Sequence, residues 1–242
     1  MRKIPLYFLF YFLLSGFLVI SVASEKNVLE KAILKLDEKI LNEEAKKASN
    51  NGNLALAGKL YFKLAEYYEL KSSGKKSREW KKSEEYLDKS IELLRKASKN
   101  NNLVEVHFDL VRALIYRIRH YGGLFDLYQI ITKGKEATKE IEKIKKSNPK
   151  SYLVELALGI QTLYKPENME GGILNAIPHF EKAKEAAPDN AEVLYWFGRA
   201  YSLEGAKGED KEKAVTYLKK AIEMNPEDVR YSMELEKISS IK

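Results

Sequence analysis

The residues best suited to binding a charged group lie on one predicted helix near the middle of the chain, over residues 103–121. Apolar residues cover most of its circumference. Polar or aromatic side chains nevertheless recur at helical spacing along one stripe, at Glu105, Asp109, Arg112, Tyr116, Arg119 and His120. A polar stripe on a mostly buried helix either pairs internally or faces a groove.

The two arginines of this stripe indicate anion recognition as one interpretation. Guanidinium groups hold carboxylates through two parallel hydrogen bonds, so Arg112 and Arg119 facing a groove would bind an anionic partner group. The other interpretation is internal pairing. Asp109 and Arg112 lie three residues apart and on a helix would bond each other.

The sequence offers no catalytic or metal-binding constellation. Cysteine is absent, which excludes disulfides, thiolate metal ligands and a thiol nucleophile. His107, His120 and His179 do not have the spacing of a zinc-binding helix. Paired carboxylates such as Glu43 and Glu44 lie in lysine-rich helical stretches, where a solvated face is the simpler explanation. We therefore predict a protein that is not an enzyme and needs no cofactor.

Composition favours a folded chain that does not bind nucleic acid. Hydrophobic residues make up 45% of the 242 residues, enough for a sizeable core. There are 42 Lys and Arg against 35 Asp and Glu, a net charge of +7, with both signs interspersed. Such mixing is typical of solvated helix faces.

The elements that must position the polar stripe are predicted to be helices throughout. After residue 24, apolar residues recur at three- and four-residue spacing and are interrupted by clusters of Gly, Asn and Pro. No stretch alternates cleanly as a strand would. The pattern predicts about nine helices, and their short connections favour antiparallel hairpins.

One pattern of residue types occurs three times in what would be the second helix of a hairpin. A small or apolar residue is followed by apolar residues at offsets of four and seven and by Pro at twelve, in the sets Ala137-Ile141-Ile144-Pro149, Ala176-Phe180-Ala183-Pro188 and Ala214-Leu218-Ala221-Pro226. A small residue lets two helices approach closely, a large one fills the space between them, and Pro ends the helix.

The preceding helices share a second pattern, seen in Leu194-Phe197-Gly198-Tyr201 and Tyr61-Leu64-Ala65-Tyr68. Together the two patterns resemble the tetratricopeptide repeat (TPR) family. The resemblance is strongest from Ala191 to Pro226 and weakest around residues 103–147. The prolines at the ends of successive units are 39 and 38 residues apart, longer than the family repeat of about 34.

The resemblance implies an all-α fold, a right-handed superhelical array of antiparallel helix hairpins or TPR-like α-solenoid. About four hairpins, a leading helix over residues 28–48 and a capping helix over 228–241 would account for the domain of residues 24–242. The first helix of each hairpin would line a concave binding groove for a protein or peptide partner. The predicted groove residues are Phe62, Asp109, Arg112, Tyr116, Arg119, Tyr164, Tyr195 and Arg199.

An extra apolar stretch, residues 124–131, precedes the second helix of the middle unit. It would either close one end of the groove into a pocket for a hydrophobic small ligand or lengthen the second helix, which would then pack on its neighbours. Gly122-Gly123 would supply the turn in both cases.

The N-terminus has the features of a secretory signal. Arg2 and Lys3 precede an apolar run over residues 4–22, and the small residues Ser21 and Ala23 stand where a signal peptidase cuts. This predicts a signal peptide of residues 1–23. The run is also long enough for an uncleaved membrane anchor, with membrane contact through residues 4–22 alone. Both interpretations place the rest of the chain in the periplasm or cell envelope.

These features favour an exported bacterial scaffold that binds a protein partner in its concave groove and helps to assemble a complex. The alternative is a ligand-associated protein similar to the periplasmic TPR subunits that work with the solute-binding proteins of transporters. Such a protein would hold a hydrophobic small ligand, and the extra apolar stretch motivates this alternative.

Overall fold

A computed structural model describes residues 27–100, 102–122 and 126–240. The predicted signal peptide lies outside these residues, as do Leu124 and Phe125 of the extra apolar stretch. The regular structure of the described ranges is helical, with no strand, which confirms the all-α prediction. None of their helices is long and apolar enough to cross a membrane.

The helices follow one another through short connections. Residues 27–35 are the described part of α1. The others are α2 (Glu38–Asn50), α3 (Leu54–Lys71), α4 (Arg78–Lys99), α5 (Val104–Arg119), α6 (Leu127–Ser147), α7 (Tyr152–Leu163), a 3₁₀ helix (Glu167–Met169), α8 (Ile173–Ala186), α9 (Ala191–Tyr201), α10 (Lys211–Met224) and α11 (Val229–Ser240).

Four helix hairpins, α3/α4, α5/α6, α7/α8 and α9/α10, make up the body of the protein. The predicted small and apolar positions of the second helices are all at the centre of this packing. Each is at most 1% exposed, at Ala137, Ile141, Ile144, Ala176, Phe180, Ala183, Ala214, Leu218 and Ala221. The TPR-like array of hairpins that the repeats predict is therefore confirmed.

Close approach within a hairpin depends on small residues of its first helix. A Cβ atom added to Gly198 of α9 would lie 2.6 Å from Cγ of Leu218 on α10, and one added to Gly58 of α3 would lie 2.6 Å from Cγ of Leu94 on α4. Helices α6, α8 and α10 each end two residues before the predicted proline.

The leading helix is broken where the sequence predicts continuity over residues 28–48. Leu36 adopts a positive φ of 49°, and Asp37 caps α2 by accepting a hydrogen bond from the Ile40 backbone N–H at 3.1 Å. The single amphipathic pattern is thus divided between α1 and α2. An N-cap aspartate competes with helix continuation because its carboxylate satisfies a backbone donor of the following turn.

The terminal helix does more than cap the last hairpin. Helix α11 packs on α10 and also contacts α3, the first helix of the first hairpin. Its Tyr231 is 2% exposed, and the ring centroid lies 5.0 Å from that of Tyr195 on α9. The inner side of the array, lined by the first helices of the hairpins, is therefore occupied by α11.

The extra apolar stretch forms the start of α6 over its described part, which agrees with the longer-helix interpretation. The start of α6 does not pack fully on its neighbours, however. Leu127, Tyr128 and Ile131 are 53%, 73% and 44% exposed.

Candidate functional site

The first helices of the hairpins bring the predicted groove residues together, but in the interior. Phe62 and Tyr116 are fully buried, and their ring centroids lie 5.2 Å apart. Tyr195 is 1% and Arg199 is 7% exposed. These residues share one side of the first helices, but that side meets other parts of the chain instead of an open groove.

Glu69 of α3 is the centre of one buried charge cluster, which we call the Glu69 cluster. It accepts hydrogen bonds from Nη1 of Arg119 at 2.7 Å and Nη2 of Arg199 at 3.1 Å. Arg199 also donates to the hydroxyl group of Tyr116. Burial alone would raise the pKa of Glu69, but Arg119 and Arg199 outweigh it and hold that pKa below its usual value. The carboxylate is therefore charged in the interior.

A second group, the Arg230 cluster, joins α11 to α3 and α9. Arg230 lies 2.5 Å from Glu192, 2.6 Å from Asp228 and 3.3 Å from Glu66. Lys63 completes the cluster, 2.6 Å from Glu66. Burial opposes ionisation of Glu66, but Lys63 and Arg230 together lower its pKa to about 2.

Both arginines of the polar stripe are paired with acidic groups of the chain itself. Arg112 binds Asp109, the partner three residues before it, and also approaches Glu192 at 3.4 Å. Arg119 belongs to the Glu69 cluster, and its guanidinium carbon lies 4.6 Å from the ring centroid of Tyr164. The structure thus has the internal pairing that the sequence left as one of two interpretations. Anion binding by these arginines stays a prediction. It would require their ion pairs with Asp109 and Glu69 to break.

A cleft of about 700 Å³ opens at the N-terminal ends of α5, α7, α9 and α11. The paired side chains of Arg112, Glu192 and Arg230 form part of its floor. Lys59, Glu105 and Asp189 also line it. Lys59 is half-buried, whereas Glu105 and Asp189 are exposed.

A smaller, apolar pocket of about 400 Å³ lies at the opposite ends of α5 and α7. Its walls come from α5, from the start of α6 and from the segment after α7, chiefly through Ile115, Ile118, Leu127, Ile131, Pro166 and Met169. The described part of the extra apolar stretch lines this pocket through Leu127 and Ile131, and closure of a groove by the stretch stays a prediction.

Several residues of the charge clusters were not identified from the sequence. Glu192 precedes Tyr195 by three and Arg199 by seven residues, so the helical stripe on α9 carried a signal for it. Arg230 had no such signal because nothing in the repeat pattern indicates that the last helix returns to the first hairpin. Within the described ranges, no group of three or more His, Asp or Glu residues is arranged to hold a metal ion.

No family model and no curated protein matches the chain. Among solved structures, a thermophilic TPR protein of Thermus thermophilus superposes with a TM-score of 0.48 at 14% identity, covering 84% of this chain and 98% of that one. YrrB, described as a TPR protein with an unusual peptide-binding site, has a TM-score of 0.38 at 17% identity and covers 86% and 95%.

Proposed function

We propose that the protein is a non-catalytic scaffold of the bacterial periplasm or cell envelope. It binds a segment of a partner protein in the cleft at the N-terminal ends of α5, α7, α9 and α11, and so helps to assemble a complex. This site replaces the long concave groove expected from the sequence, because α11 and the two charge clusters fill the inner side.

The observation that carries this proposal is that the floor of the cleft consists of ion-paired side chains, whereas its rim has acidic side chains without ion-pair partners in the described part of the chain. Arg112, Glu192 and Arg230 are held by several ion pairs each, so little side-chain freedom is lost when a partner covers them. At the rim, Glu105 and Asp189 have no ion-pair partner within the described ranges. The rim therefore suits a segment that carries at least one Lys or Arg.

Site-specific photo-crosslinking in the native cell envelope tests this function. Photoreactive residues at Glu105 and Asp189 should capture the same partner, whereas one at Lys219, exposed on α10 away from the cleft, should not. The double substitution Glu105→Lys with Asp189→Lys should abolish copurification of that partner, and Lys219→Glu with Lys220→Glu should not. Equal capture at all three positions, or capture of cytoplasmic proteins alone, would refute the proposal.

Export is part of the same proposal and has its own test. The charged start, apolar run and small residues at 21 and 23 support a mature chain that begins at Ser24. The intact mass of protein purified from the native host should then lack residues 1–23. Full-length protein in the membrane fraction would favour the anchor, and full-length protein in the cytoplasm would contradict export.

A second candidate function is favoured by the apolar pocket. A protein that holds a hydrophobic small ligand needs a concave, mostly apolar site of about 300–1,000 Å³. The pocket bounded by α5, α6 and the segment after α7 falls in this range, at about 400 Å³. Native mass spectrometry of protein purified from its host should show a retained small molecule, and repeated recovery of ligand-free protein alone would count against this function.

A further inference from the structure

The apolar pocket has walls that no other part of the described chain covers. The buried Ile115 and the half-buried Ile118 of α5 form one side, and the exposed Leu127 and Ile131 of α6 form another. Met169, which faces them from the segment after α7, is 62% exposed. Clustered apolar side chains left open to water are a feature of ligand and partner sites, whereas single exposed apolar residues are ordinary.

Gly134 of α6 enlarges this pocket without serving the packing of the array. It lines the pocket, and a Cβ atom added to it would meet nothing within 4 Å. The interior helix glycines Gly58 and Gly198, in contrast, are each required by a leucine against which a Cβ would collide. Glycine inside a helix costs about 1 kcal/mol relative to alanine. Gly134 therefore lines the pocket at a position where the hairpin contact does not need a glycine.

The charged residues that line the pocket are all cations. Lys135 of α6 and Lys165, directly after α7, lie at its edge and are exposed, and no carboxylate contributes to the lining. Neither lysine has an ion-pair partner within the described ranges. Long lysine side chains hold their ammonium groups in water while their stems lie along apolar surface.

We propose that the pocket binds a medium-length alkyl chain with a carboxylate head group. The chain lies between α5, the start of α6 and Met169, and the head group lies at the edge beside Lys135 and Lys165. This inference rests on the second candidate function, and it adds the chemical class of the ligand and the residues that distinguish its two ends. It is independent of partner binding in the cleft.

Isothermal titration calorimetry of the purified chain with octanoate, decanoate and octanol tests the proposal. Decanoate should bind about 16-fold more tightly than octanoate, since each buried CH₂ group contributes about fourfold. Octanoate should bind about two- to fivefold more tightly than octanol at low ionic strength, and the difference should disappear in high salt.

Two sets of variants separate the chain site from the head-group site. Gly134→Leu should weaken decanoate binding at least tenfold because the new side chain occupies the pocket. Ile131→Ser, at a half-exposed wall position, should weaken it severalfold and serves as the second variant should Gly134→Leu not fold. Lys135→Gln with Lys165→Gln should make octanoate bind no better than octanol, whereas Lys219→Gln with Lys220→Gln on α10 should change nothing.

The outcomes distinguish this inference from the function on which it rests. Equal binding of octanoate and octanol by the unaltered protein would overturn the carboxylate assignment and leave a neutral apolar ligand in place. Failure of all three probes to bind would overturn the assignment and the second candidate function together. Binding that survives in both Gly134→Leu and Ile131→Ser would show that the alkyl chain lies elsewhere.

Discussion

At the residue scale, the main feature of this protein is that charged side chains occupy positions where a helical core normally has apolar ones. Glu66 and Glu69 are 2% and 3% exposed, and Arg230 is 4% exposed. Each buried charge is compensated because partners of opposite sign come from other helices. Such pairs stabilise a fold less than apolar packing does, but removing one partner leaves a costly uncompensated charge.

The substitution Glu69→Gln tests this compensation. It leaves the partly buried Arg119 without its carboxylate and the buried Arg199 with Glu234, at 3.7 Å, as its remaining carboxylate in the described ranges, so we expect the free energy of unfolding to fall by about 3 kcal/mol. Urea denaturation measures the change. The matched control is Glu92→Gln, which removes an exposed pair with Lys96 and should leave stability unchanged. Equal effects of the two substitutions would contradict a charged carboxylate at the centre of the cluster.

His120 makes the stability of the protein depend on pH. Its ring stacks on Trp80 at 4.0 Å between centroids, and both ring nitrogens are buried without a hydrogen-bond partner. Burial, with Arg117 and Arg119 nearby, lowers the pKa of His120 to about 4. The unfolded chain binds this proton near pH 6.5, so the folded state loses stability as pH falls from about 6.5 to about 4.

The substitution His120→Phe should remove this loss while keeping the aromatic stack on Trp80. We expect the stability difference between pH 7 and pH 5 to be smaller in the variant than in the unaltered protein, as measured by urea denaturation at both values. The same pH dependence in both proteins would show that His120 is not held neutral by its surroundings.

At the element scale, the sequence predicts the hairpins well because each is encoded locally. Gly198 and Leu218 meet within one hairpin, and the patterns that contain them recur with the repeat. The break at Leu36 and the return of α11 to α3 were not predicted. Neither feature is part of the residue pattern that the repeats share. The Arg230 cluster depends on that return, whereas the Glu69 cluster joins α3, α5 and α9. The stripe residues were identified, but Glu192, which pairs with Arg112, and Arg230, which pairs with Glu192, were not.

The interior glycines provide a test of the hairpin contacts. Gly198→Ala places a methyl group against Leu218 and should lower the unfolding free energy by about 1–3 kcal/mol through overpacking. Gly134→Ala meets nothing and should raise stability by up to about 1 kcal/mol through helix propensity. Thermal denaturation compares the two variants. If Gly198→Ala stabilised the protein, α9 and α10 would have to lie farther apart than the contact between Gly198 and Leu218 implies.

At the scale of the whole molecule, ion pairs between residues far apart in sequence join the first hairpin to the last hairpin and to α11. Arg230 joins Glu66 across 164 residues, and Arg199 joins Glu69 across 130. The inner side is filled, and a charged cleft and an apolar pocket lie at the two ends of the first helices. The proposals place a protein partner at one end and an alkyl carboxylate at the other.

The closed inner side is the central claim, and hydroxyl-radical footprinting of the folded protein with mass spectrometry tests it most directly. Phe62, Tyr116 and Tyr195, each at most 1% exposed, should resist oxidation, whereas Tyr128 and Met169, 73% and 62% exposed, should be oxidised rapidly. In urea all five should react. Oxidation of Tyr116 and Tyr195 at the rate of Tyr128 in the folded protein would mean an open concave groove and would contradict the account.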